Sequence, residues 1–125
     1  MITFTVPGKV VAKERPRMGR GRVYTPKRTK DYEKKVGLVA LANRTEGPYG
    51  GAVGISLKIR GSGRMDIDNA CKSVLDGLNG ILYKDDKQVV YLEAEKLDGE
   101  ASVEVSIWEI YDASGDAGVH QAVEG

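Results

Sequence analysis

The sequence predicts an α+β fold: a two-layer sandwich in which a small mixed β-sheet carries two helices on one face. Three observations predict it. Apolar and polar residues alternate at strand period in several separate segments, two other segments repeat apolar residues at helical spacing, and the last two strands are joined by the turn residues Asp98-Gly99. Hairpin strands with polar outer faces require a sheet solvated on one side and covered on the other.

Each element follows in order. Ile2, Phe4 and Val6 alternate with Thr3 and Thr5 until Pro7-Gly8 breaks the pattern, giving a first strand with a short resumption expected at Val10-Val11. Lys13 to Arg22 reads KERPRMGRGR, which has no apolar periodicity and is expected to be a flexible basic loop. Thr25 can cap and Pro26 suits a first helical position, and Tyr32, Val36, Val39, Ala40 and Asn43 follow at helical spacing. A helix over 26–43 is therefore expected, ended by EGPYGG. Val53, Ile55, Leu57 and Ile59 alternate with polar or small residues in a second strand, and GSGR turns the chain. From Asn69 onward Ala70, Val74, Leu75, Leu78, Ile81 and Leu82 form the apolar stripe of a core-facing helix. Val89 to Lys96 reads as a third strand and Val103, Val105 and Ile107 mark a fourth, so the order is β-α-β-α-β-β.

At 125 residues the chain has room for one domain, expected over 1–111. The remaining 112–125, DASGDAGVHQAVEG, is too polar and small to pack and is expected to be disordered, so His120 within it is no candidate general base. No apolar run approaches the roughly 20 residues that cross a bilayer, and MITFTVPGKV lacks the pattern of a secretory signal. A cytoplasmic protein without membrane contact is expected. The single cysteine, Cys71, has no intramolecular disulfide partner and reads as a small core residue.

Charge is divided unevenly. Residues 1 to 35 hold 11 Lys or Arg against 3 Asp or Glu, a net +8, whereas the rest hold 8 basic against 15 acidic residues, a net −7. Such a split suits a protein that holds a polyanion with one region and a cation with the other. In the basic part, Lys13, Arg15, Arg17, Arg20, Arg22 and Lys27 surround glycines and prolines that let backbone approach a strand, and Tyr24 can stack on a base. These are the candidate nucleic-acid-binding residues. Tyr91 and Trp108 fall in strand patterns and are expected to pack rather than to stack on bases.

The acidic part centres on RMDIDNACK, Arg64 to Lys72, and KDDKQV, Lys84 to Val89. Asp66 and Asp68 are two apart, so an extended segment points both carboxylates the same way. Lys72, Asp76 and Asn79 continue a polar stripe on the outer face of the second helix, and Asp85-Asp86 follow where that helix ends. Clustered carboxylates repel unless a cation compensates them, and oxygen ligands select Mg²⁺ or Mn²⁺, the ions of phosphoryl chemistry. Blander readings exist for each part. Asp68 can cap the helix, Asp68 and Lys72 can be an ordinary surface pair, and Asp85-Asp86 can be turn residues.

The run RMDIDNACKSVLDGLNGILYKDDKQV closely resembles the signature of the RusA family of Holliday junction resolvases, and KERPRMGRGRVYTPKR is similar to that family's N-terminal part. The resemblance covers the chain to about Tyr111. It implies a homodimeric, Mg²⁺-dependent endonuclease that cuts four-way DNA junctions by paired symmetrical nicks in recombination and repair. Carried over, it implies that Asp66, Asp68 and Asp86 bind the metal and that Lys72 is the essential basic residue. Spacing leaves open whether Asp85 reaches the ion as well, and Asp76 and Asn69 are candidate supporting neighbours. A different class stays open beside it: a branched-DNA-binding module without catalysis, whose acids are caps and a structural cation site. A third reading keeps the metal and takes RNA or a flap as substrate.

Overall fold

A computed structural model describes residues 1–111; the tail expected to be disordered, 112–125, and His120 with it, lie outside the described residues. The main sheet has four strands: β1 (Ile2–Pro7), β4 (Val53–Arg60), β5 (Val89–Leu97) and β6 (Ser102–Glu109), in the spatial order β1-β6-β4-β5. β6 pairs antiparallel with both β1 and β4, and β4 pairs parallel with β5. The two helices, α1 (Lys27–Asn43) and α2 (Ile67–Leu78), cover one face of this sheet. The expected order and the two-layer α+β arrangement therefore hold for the main sheet.

The core lies between sheet and helices. Phe4 and Val6, Ile55, Leu57 and Ile59, and Val103, Val105 and Ile107 meet Val36, Ala40, Ala70, Val74 and Leu78, all buried. Val10 and Cys71 are buried in the same cluster. The opposite face is polar, with Thr3 Oγ1 3.1 Å from Ser106 Oγ and Arg60 paired to Glu104 at 3.7 Å. On that face Trp108 lies across Gly54, where a Cβ would fall 2.6 Å from its ring, and Tyr91 packs against it with ring centroids 6.0 Å apart. Trp108 is thus a packing residue, whereas Tyr91 stays 47% exposed on that face. Where α1 crosses α2, a Cβ on Gly77 would come within 2.7 Å of Val36 Cβ, so glycine sets the closeness of the helices.

Four expectations are corrected. The basic loop contains a second, two-stranded sheet of β2 (Arg17–Gly19) and β3 (Arg22–Tyr24). Arg20 and Gly21 turn it with φ of 54° and 75°, the left-handed geometry that matches the twist of a tight hairpin. The chain does not resume strand at Val10-Val11, although Val10 packs into the core. Pro26 occupies the cap position of α1 rather than its first turn, without a side-chain cap bond, since proline's fixed φ admits it on either side of that boundary. Finally, α2 begins at Ile67 with Asp66 at its cap position, so Asp68 lies inside the first turn, and it ends at Leu78, so Ile81 and Leu82 pack on the core from the turn after it.

Candidate nuclease site

The connection from β4 to β5 is a parallel crossover, with α2 carrying the chain back so that Val89 pairs beside Val53. Asp66 and Asp68 consequently sit at the N-terminal end of α2. Asp86 arrives instead against its middle, on a short 3₁₀ helix (Asp86–Gln88) that leads into β5. A cavity of about 110 Å³ there is lined by Lys72, Leu75, Asp76, Tyr83, Asp86 and Val89. The structure thus brings Lys72, Asp76 and Asp86 together and leaves Asp66 and Asp68 outside that cavity.

Each acid is positioned by a distinct device. Lys96 Nζ donates to the carbonyls of Gly63 at 3.0 Å and Met65 at 2.7 Å, fixing the turn that delivers Asp66. Asp68 Oδ1 accepts the backbone N–H of Asn69 at 3.0 Å, and the Asn69 carbonyl accepts from the Lys13 backbone at 3.0 Å. Tyr83 donates its hydroxyl to the Leu75 carbonyl at 2.9 Å, pinning the turn before Asp86 onto α2. Burial raises the Tyr83 pKa, reinforced by the charges of Asp86 and Asp76, so the phenol stays protonated as a donor.

Gln88 carries the most bonds. Its buried side chain accepts from the Lys84 and Asp85 backbones at 2.8 and 3.0 Å, and donates to the Tyr49 and Gly51 carbonyls, each at 2.8 Å. Asp85 accepts the Lys87 N–H at 2.9 Å and completes a capping box with Gln88. Asp85 is therefore occupied by the local fold. Asp66, Asp86 and Lys72, in contrast, have exposed side chains with no hydrogen bond or ion pair among the described residues.

The donor chemistry of Asp66, Asp68 and Asp86, hard carboxylate oxygen, fits Mg²⁺. Among the described residues, however, no three His, Cys, Asp or Glu side chains are grouped so as to hold one metal ion. The expected convergence of Asp66, Asp68 and Asp86 on a shared cation is not closed within the chain, because α2 separates the pair at its end from the acid at its middle. Asp76, placed by its spacing on an outward stripe, turns towards α1 and takes Lys13 Nζ at 2.9 Å.

The basic residues divide in the same way. Lys13 Nζ also bonds Glu33 at 2.7 Å, and its side chain is 18% exposed, so it joins α1 to α2 rather than facing solvent. Burial lowers its pKa, but the hydrogen bonds and charges of Glu33 and Asp76 outweigh burial and leave it raised. Lys27 is exposed and pairs with Asp31 at 2.6 Å. Arg15, Arg20 and Arg22 are exposed on and before the hairpin, Arg17 is placed in β2, and Tyr24 lies over Gly19 at the hairpin's foot. An open groove of about 590 Å³ runs from Tyr24 along Lys27, Lys30 and Lys34 of α1. Lys30 and Lys34 were missed by the sequence reading, yet the 27-30-34 spacing on one helical face signals them.

No helix among the described residues is long and apolar enough to cross a membrane. The uncharacterized protein YqaN of Bacillus subtilis (strain 168) is 34% identical to this chain over 137 aligned positions, covering 87% of this chain and 96% of that one. The family model described as endodeoxyribonuclease RusA matches residues 7–108, which run from the end of β1 into β6 and include every candidate site residue named above. With the parallel crossover, the two acidic positions and the basic hairpin all inside that match, the chain belongs to the RusA endodeoxyribonuclease family.

Proposed function

We propose that the protein is a homodimeric, Mg²⁺-dependent endodeoxyribonuclease of the cytoplasm that resolves four-way DNA junctions by paired symmetrical nicks, in recombination and repair. The observation that carries this reading is the meeting of Lys72 and the unpartnered Asp86 around one cavity, in a chain of this nuclease family. Asp66, Asp68 and Asp86 would hold the ion, with Mn²⁺ able to replace it. Bound there, the ion would lower the pKa of a water and neutralise charge on the scissile phosphate.

Lys72 supplies positive charge where the phosphorane-like transition state becomes most anionic. Lys13 and Asp76 hold α1 and α2 in register beneath it, and Asn69 ties the Lys13 segment to the start of α2. Arg15, Arg17, Arg20 and Arg22, with Lys27 and the groove beyond Tyr24, hold the arms through their phosphates. Pairing two chains about a two-fold axis presents two such sites to one junction, which is how a chain of 13.5 kDa makes two cuts.

A second reading is favoured by the ungrouped carboxylates: a branched-DNA-binding module whose cation is structural. Cleavage of labelled four-way junction, flap, duplex and RNA substrates with and without Mg²⁺ separates the two. Nicks only in the junction and only with metal are expected; tight junction binding without product in Mg²⁺ or Mn²⁺ selects the binding module, and preferential flap or RNA cutting replaces the substrate.

A further inference from the structure

The β2–β3 hairpin holds more than cations. Directly opposed residues of an antiparallel pair share a face, so the Met18↔Val23 pair stands on one side, while Tyr24 and Arg22 stand on the other. Met18 is 73% and Val23 66% exposed. Two strands of three residues have no layer to bury this pair against, and leaving it in water is unfavourable. The hairpin and its approach are strongly basic: Arg20 at the turn, Arg22 on the opposite face and Arg15 just before, all exposed, in a chain whose first 35 residues carry net +8.

That combination selects its occupant by charge complementarity. An apolar pair on one face of a hairpin that carries Arg20 at its turn and Arg22 on its other face suits a polyanion that can offer an apolar surface at one place. Stacked duplex keeps its base faces covered, whereas the branch point of a junction has base pairs lacking continuous stacking, where insertion costs least. The positive-φ turn at Arg20-Gly21 makes the hairpin narrow enough for backbone to follow the side chains inward.

We propose that the hairpin is a wedge that enters the branch point, with Met18 and Val23 stacking against the exposed bases and the flanking arginines on the phosphates. This rests on the proposed junction specificity and deepens it: phosphate contacts set general affinity, and the apolar pair sets preference for branched over linear DNA.

The test uses the full-length protein without divalent metal, a four-way junction carrying 2-aminopurine beside the branch point, and a linear duplex of matched length. Wild type is expected to raise 2-aminopurine fluorescence on binding and to prefer the junction. Met18→Ser/Val23→Ser, and independently Met18→Ala/Val23→Ala, should keep duplex affinity and its salt slope but lose most of the fluorescence rise, with junction preference falling about tenfold, as expected when an apolar wedge of two aliphatic side chains is removed. Both residues are exposed, and circular dichroism checks that the variants fold. Variants that keep the full fluorescence rise and preference overturn the wedge while leaving junction cleavage standing. Variants that instead lose self-association in solution overturn it by making the pair a contact between two copies. A wild type that binds duplex and junction alike overturns the proposed function and the wedge together.

Discussion

Gln88 Oε1 accepts the backbone N–H of Asp85 at 3.0 Å while its amide holds the Tyr49 and Gly51 carbonyls, so one side chain fastens the segment carrying Asp86 to the loop before β4. Gln88→Ala strips partners from two N–H groups and two carbonyls. It is expected to cost about 2–4 kcal/mol in urea unfolding, since each group left unsatisfied in a buried site costs about 1–3 kcal/mol when water does not replace the partner. Unchanged stability would show that the segment does not depend on this side chain.

The Lys13 bridge gives a pH-dependent expectation. Because its folded pKa lies above the ordinary lysine value of 10.5, the stability it contributes is fully present below that value and is lost as pH rises through the folded one. Lys13→Met is expected to lower stability by about 1–2 kcal/mol at neutral pH, a magnitude between an exposed pair and a charged hydrogen bond. The gap to wild type should then close above the lysine range. Denaturant midpoints measured from pH 7 to about 12.5 check this, and a gap independent of pH would assign the loss to packing alone.

Helix spacing gives a third. A Cβ at Gly77 would meet Val36 Cβ at 2.7 Å and the Glu33 carbonyl at 2.8 Å, both in the body of α1. Gly77→Ala should therefore cost about 1–3 kcal/mol by overpacking, while Gly47→Ala, with nothing within 4 Å of its Cβ, should stay within about 0.5 kcal/mol of wild type. Thermal unfolding of the two variants side by side tests the contrast, and equal effects would contradict it.

Much of this was legible in the sequence because it depends on local period. The alternation at Val53–Ile59 and the stripe Ala70, Val74, Leu78 place core faces without tertiary knowledge. The β2–β3 hairpin was not legible in that way: three-residue strands carry no period, and only Gly21 after Arg20 hinted at a turn. Whether Asp85 or Asp86 serves the site also escaped the spacing argument, although Asp85 and Gln88 stand at capping-box separation and mark Asp85 as structural. Helical spacing placed Asp76 on a polar face but could not say that Lys13, 63 residues earlier, would fill it, because that partner is set by how α1 crosses α2. The distance between the Asp66–Asp68 pair and Asp86 is likewise tertiary. It follows from the parallel crossover, which no periodicity encodes.

The central claim is that carboxylates on both sides of Lys72 serve one cleavage reaction. Its most direct test maps nicks on all four strands of a labelled junction in Mg²⁺ for wild type, Asp68→Asn, Asp86→Asn and Lys72→Ala. Paired symmetrical nicks are expected for wild type. The two Asn variants should bind the junction more tightly, having lost negative charge beside the phosphate path, yet fail to cut it. Lys72→Ala should cut about 10²–10³-fold more slowly, the usual cost of removing one group that stabilises transition-state charge. Cleavage by Asp68→Asn or Asp86→Asn at the wild-type rate would contradict the account.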